Sequence, residues 1–185
     1  MIFTNKIHAG VLLFIGTAWF LMGIVVSEAL CPGYHVTQMI SDLGVGSTAL
    51  VYNSSIIVFG VILIAAAYLL QKEGTDIWFS ALMALIGIGA IGVGIFPENT
   101  GTPHVLSAMI VFISGGIVAI ISFRVFLAPW AWFSGALGVI TLAAIILLLA
   151  KCYLGLGAGG MERMIAYPLI LWVLGSGAFL MAPAK

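Results

Sequence analysis

Five side chains able to move protons or bind a cation stand at the ends of apolar runs: His35, Asp42, Glu98, His104 and Glu162. Two imidazoles and three carboxylates could run acid–base chemistry or hold a metal ion. The catalytic candidates are His104, Asp42 and Glu98, and the metal-ligand candidates are His104, His35 and Asp42. Gln38, Glu162 and Arg163 join His35 as candidate ligand-binding residues. The spacing matches no zinc signature such as H-E-x-x-H. Ser41, Asp42 and His104 lack the flanking glycines of a nucleophile elbow, which argues against a serine hydrolase.

These residues belong to three polar joints. The longest is Cys31-Pro-Gly-Tyr-His-Val-Thr-Gln-Met-Ile-Ser-Asp-Leu-Gly44, and the others are Phe96–His104 and Gly159–Arg163. In the first, Pro32-Gly33 signals a turn. On a helix, His35, Gln38 and Asp42 would share one face, and Val36, Met39, Ile40 and Leu43 another. That pattern predicts a short interfacial amphipathic helix. In the second joint, Thr102 is placed to cap and Pro103 to open a helix whose first turn carries His104. A helix N-terminus disfavours imidazolium, so a neutral ring is expected there. In the third, the glycine-rich run reads as a flexible lead that brings Glu162 and Arg163 over the other joints, with Arg163 facing Asp42, Glu98 or an anionic head group.

The elements between the joints are membrane spans. The chain has 185 residues, 63% of them hydrophobic and 6% charged, and its mean hydropathy is +1.28. A soluble domain carries roughly 25% charged residues, so this chain needs lipid around it. Six basic and six acidic residues cancel, leaving no basic patch for nucleic acid. Runs of about 20 apolar residues make spans. Six are expected: His8–Glu28, Ser54–Leu70, Trp78–Phe96, Pro103–Phe126, Trp130–Tyr153 and Met164–Pro183. The fold class is therefore all-α, a polytopic six-helix membrane bundle forming one domain over residues 1–185. Lipid offers no partner to an unpaired backbone group, and the runs lack the alternation of barrel strands.

Lys6, Lys72, Arg124 and Lys185 fall on one side and Lys151 and Arg163 on the other, which favours both termini in the cytoplasm of a multi-pass cell-membrane protein. All three polar joints then face outward. Cys31 and Cys152 share that face, so a disulfide between them is open in an oxidising compartment. Asn53-Ser-Ser55 fits a glycosylation acceptor but crowds the second span. Trp130 and Trp132 read as interfacial anchors. Glycines and serines inside the spans, such as Gly87 and Gly116, read as close helix packing. Trp78–Ile86 resembles Trp132–Ile140, a weak repeat of helical hairpins in the same sense.

Pro32-Gly-Tyr34, Ile40-Ser-Asp-Leu-Gly44, Phe96-Pro-Glu98 with His104, and Gly160-Met-Glu-Arg163 together resemble a prokaryotic six-span family known as domain-of-unknown-function family 998. The resemblance implies the six-span architecture and these joints as recurring features, and it implies no activity. Three function classes follow. The first is a protein whose outward polar cavity binds or acts on a membrane lipid or other amphipathic small molecule, with or without a metal ion. The second is a redox protein holding haem or quinone. The third is a structural subunit of a homo-oligomer or larger membrane complex. A transporter is less attractive, since no charge interrupts the middle of any span.

Overall fold

The computed structural model describes residues 5–182. Six α-helices account for the apolar runs: α1 Asn5–Leu30, α2 Ala49–Lys72, α3 Ile77–Ile95, α4 Thr102–Ile120, α5 Trp130–Leu149 and α6 Gly157–Met181. All six are long and apolar enough to cross a membrane. Each packs on its neighbour in sequence, and α6 closes the ring against α1. Leu50, Val61, Trp132 and Ile146 are among the many large apolar side chains left on the outside of that ring. Lipid is the solvent that accepts such a surface.

The ring is drawn tight by glycines. A Cβ at Gly60 would lie 2.5 Å from the Gly87 carbonyl oxygen, and one at Gly87 would lie 2.6 Å from the Gly60 oxygen. The α4–α5 seam repeats the arrangement, with Gly138 against the Gly116 oxygen at 2.5 Å. The α1–α6 seam does so through Gly10 and Gly177, where a Cβ on either would lie 2.8 Å from the other's oxygen. Backbones approach where side chains vanish, and dispersion replaces the missing hydrophobic drive.

With three returns of the chain at one end and two at the other, which also holds both chain ends, the bundle has a polar end and a terminal end. The terminal end carries the first residues of α1 and the last of α6, with short connectors. There Asp76 caps α3, accepting hydrogen bonds from the amides of Trp78 (3.0 Å) and Phe79 (3.1 Å). Phe79, Phe126, Phe179 and Trp172 form an edge-to-face aromatic core behind it. Trp172 Nε1 donates to Ser122 Oγ at 3.0 Å, so the buried indole keeps a partner.

Several boundaries differ from the sequence reading. No continuous helix forms over residues 35–43; turns lead to two short 3-10 helices, Ser41–Gly44 and Gly46–Thr48. The polar side chains there bind the loop's own amides: Gln38 Oε1 accepts from His35 N at 2.7 Å and Asp42 Oδ2 from Met39 N at 2.9 Å. Such local bonds compete with a helix. α4 is capped by Gly101, at φ 71°, with Thr102 already helical. α6 begins at Gly157, so Glu162 and Arg163 lie inside its first turns rather than ahead of it. The expected end of that span, Pro183, and Lys185 lie outside the described residues. Trp132 is 76% exposed, as an anchor should be, but Trp130 turns inward. Its ring fills the space beside Gly175, and its Nε1 donates to Ser176 Oγ at 3.3 Å.

Candidate functional site: a roofed cavity at the polar end

The loop from Cys31 to Thr48 crosses the polar end and must satisfy its backbone groups without regular structure. Two side chains of α6 do this from below. Arg163 Nη1 donates to the carbonyls of Val36 (2.8 Å), Gln38 (2.8 Å) and, in its own helix, Gly159 (3.1 Å). Its Nη2 donates to Glu28 Oε1 at 2.8 Å and to the Tyr34 hydroxyl at 2.7 Å. The Tyr34 hydroxyl passes its own proton on to Met39 O at 2.9 Å. Burial pushes the Tyr34 phenol above its ordinary value, against the lowering pull of Arg163, so it stays a neutral relay. Glu162 takes the opposite polarity: Oε2 accepts from Ile40 N, and the carboxylate lies against the amide and hydroxyl of Ser41. Arginine thus binds the loop's carbonyls and glutamate its amides.

Gly159 completes the seam. Its amide donates to Thr37 O at 3.1 Å, and a Cβ there would sit 2.0 Å from the Gln38 oxygen. The glycine is a contact surface, where the sequence suggested a flexible lead. Arg163 also has different partners from those expected, Glu28 and carbonyls instead of Asp42 or Glu98. A guanidinium carries five N–H donors, and a Gly- and Pro-broken loop offers stray carbonyls. That pairing was the available signal for an arginine at the start of a span.

Beneath this roof lies a cavity of about 70 Å3. Ile40, Ser41, His104 and Glu162 line its polar end, and Phe20, Ile24, Ile56, Phe59, Val111 and Trp172 are among its apolar walls. From Glu162 to Val173, both in the lining, α6 advances roughly 16 Å at about 1.5 Å per residue. The space is therefore narrow and drawn out along the helices. Apolar walls of this kind favour an apolar occupant over water.

His104 is 7% exposed. Its Nδ1 lies 2.9 Å from Phe96 O, and a carbonyl only accepts, so Nδ1 carries the proton. In the neutral ring Nε2 keeps its lone pair, and it has no partner among the described residues. Asp42 and Glu98 form a separate group outside the cavity lining, where the turn Ser41–Gly44 meets the turn Glu98–Thr100. A hydrogen bond that protonated Glu98 donates to Asp42 raises Glu98 above the ordinary carboxylate range, with burial and the Asp42 charge adding to it. A proton held on Glu98 would lie between the two carboxyls.

The three joints therefore converge, but the expected sets divide. His104 and Glu162 share the cavity, Asp42 and Glu98 pair beside it, and His35 and Gln38 stand exposed on the loop. Among the described residues no three His, Cys, Asp or Glu side chains come together as a metal-binding group, so the set His104, His35 and Asp42 is not assembled. His8, the remaining imidazole, sits near the start of α1 at the opposite end. Cys31 and Cys152 are free thiols, half-buried and exposed respectively, with no disulfide between them. The Asn53 amide donates to Gly44 O at 2.9 Å from within α2 and is occupied structurally. Tyr34 and Tyr52, one in the relay and one in the cavity wall, were not anticipated from sequence.

Six apolar helices closed into a ring, with loops and ionisable groups gathered at the ends, define an integral multi-pass membrane protein. The sequence profile of the family described as "Protein of unknown function (DUF998)" matches residues 14–178, and the chain belongs to that family. No curated protein and no solved structure matches it.

Proposed function

We propose that the protein binds a membrane amphiphile as its ligand, with the apolar chain in the cavity between the helices and the head group at Ser41, His104 and Glu162. The observation that carries this reading is the cavity's composition. It has long apolar walls, and a few buried polar groups converge at one end, one of them an imidazole nitrogen without a partner. Sites for small amphipathic molecules have this form. The excess of Lys and Arg beside the terminal end supports an orientation with that end in the cytoplasm, which puts the cavity's polar end at the outer leaflet of a cell membrane.

Ala108 lines the cavity, and Ala108→Phe would fill it. Amphiphile retained through purification and exchange into a chemically distinct detergent, extracted and weighed by mass spectrometry, should approach one molecule per chain in the wild type. It should fall at least about fivefold in the variant, the ratio that removing about 1 kcal/mol of binding produces. Equal retention in both, or none in the wild type together with no saturable uptake of added amphiphile, would overturn the proposal.

A further inference from the structure

Resting on that reading, we infer that the cavity selects an amphiphile whose head group donates hydrogen bonds and carries no negative charge, an alcohol or an ammonium on a single alkyl chain. Three of the polar groups at the cavity's end are acceptors. His104 Nδ1 is committed to Phe96 O, so in the neutral ring Nε2 presents a lone pair. Glu162 is a carboxylate already receiving Ile40 N, and every partner it has in the roof is a donor. The Ser41 hydroxyl lies against Glu162; with its proton given to the carboxylate, its lone pairs are what remain for a ligand. The Tyr52 hydroxyl can act either way.

No lysine or arginine lines the cavity among the described residues. Arg163, adjacent in sequence to Glu162, spends both terminal nitrogens on the loop carbonyls, Glu28 and Tyr34. A carboxylate or phosphate head would therefore enter a confined space beside the Glu162 carboxyl with no cation in the lining to receive it, the nearby Arg163 being committed to the loop and Glu28, which is costly. A hydroxyl or ammonium would give the His104 nitrogen the donor it lacks. The chain that follows must be single, because the cavity is about 70 Å3 spread along more than two turns of helix.

The test uses four probes with one alkyl chain: dodecanol, dodecylammonium, dodecanoate and dodecyl phosphate. Native mass spectrometry of the full chain released from detergent counts bound molecules as each is titrated. Dodecanol and dodecylammonium should form a saturable one-to-one adduct at least about tenfold more tightly than the two anions, and His104→Leu should erase that preference for dodecanol. His104→Gln, whose amide oxygen still accepts, should keep it. Saturable binding of all four with equal affinity, or tighter binding of either anion, overturns the head-group assignment while leaving the chain-binding reading intact. No saturable adduct with any probe overturns both. Should His104→Leu not fold, as judged by its thermal unfolding, the ranking of the four probes on the wild type decides.

Discussion

The two ends of this bundle meet the same requirement by different means. The polar end must return the chain three times and the terminal end twice, across a boundary where backbone groups lose their helical partners. The terminal end does it with short turns, a capping Asp76 and aromatic packing from Phe79, Phe126 and Trp172. Its Arg124–Asp76 pair is 3.5 Å long and open to solvent. The polar end carries a loop too long and too irregular to satisfy itself, and it has two buried charged side chains from α6 to bind the loop's carbonyls and amides. One end is closed by packing and the other by hydrogen bonds over a cavity. Hydrogen-bonded closure concentrates the energetics in few residues and leaves space that packing would have filled.

That contrast can be broken most severely at Arg163. Arg163→Met leaves the carbonyls of Val36 and Gln38 and the Glu28 carboxylate without their donor, and stability should fall by about 3–5 kcal/mol. Hydrogen exchange should show residues 31–48 opening before the terminal end does. Uniform loss of protection at both ends would dissolve the distinction drawn above. Gly159→Ala comes next. Its methyl would press on the Gln38 carbonyl, and overpacking of this kind costs about 1–3 kcal/mol, readable as a lower unfolding temperature with the loop again the first to exchange.

A third comparison uses pH. Because Glu98 holds its proton more strongly in the folded protein than in the unfolded chain, the native state binds more protons there. Stability at this joint should decline as pH rises from the ordinary carboxylate range through the raised Glu98 value. Glu98→Gln should flatten that segment of the pH–stability profile, and an unchanged profile would mean the two carboxyls do not share a proton. The smallest effect belongs to the terminal end: Arg124→Ala removes an exposed pair and should change stability by less than about 1 kcal/mol.

The sequence made the framework legible because lipid imposes a simple code. Continuous apolar runs have to be helices, and alternation of direction then places the joints at Cys31–Gly44, Phe96–His104 and Gly159–Arg163 at one end. Close helix packing at Gly87 and Gly116 was readable for the same reason. What happens inside a joint was less readable. The spacing of His35, Gln38 and Asp42 imitates a helical stripe, yet the same side chains bond neighbouring amides and hold turns. Gly159 reads as freedom in sequence and acts as a contact in space, since what it touches, the Gln38 carbonyl, lies far away along the chain. The partition of ionisable residues into a cavity pair and a surface pair depended on that loop path, which no periodicity records.

Five tryptophans allow the central claim to be tested where it is made. Trp172 forms part of the cavity wall and is fully buried, whereas Trp132 faces outward. Two variants, each retaining one of these with the other four tryptophans replaced by phenylalanine, can be titrated in bilayers with a dodecanol brominated along its chain. If the cavity holds the chain, Trp172 emission falls along a saturating curve that unlabelled dodecanol reverses, while Trp132 emission falls only in proportion to the bromine dissolved in the membrane. Trp172 emission that stays constant, or that merely parallels Trp132, would contradict the account.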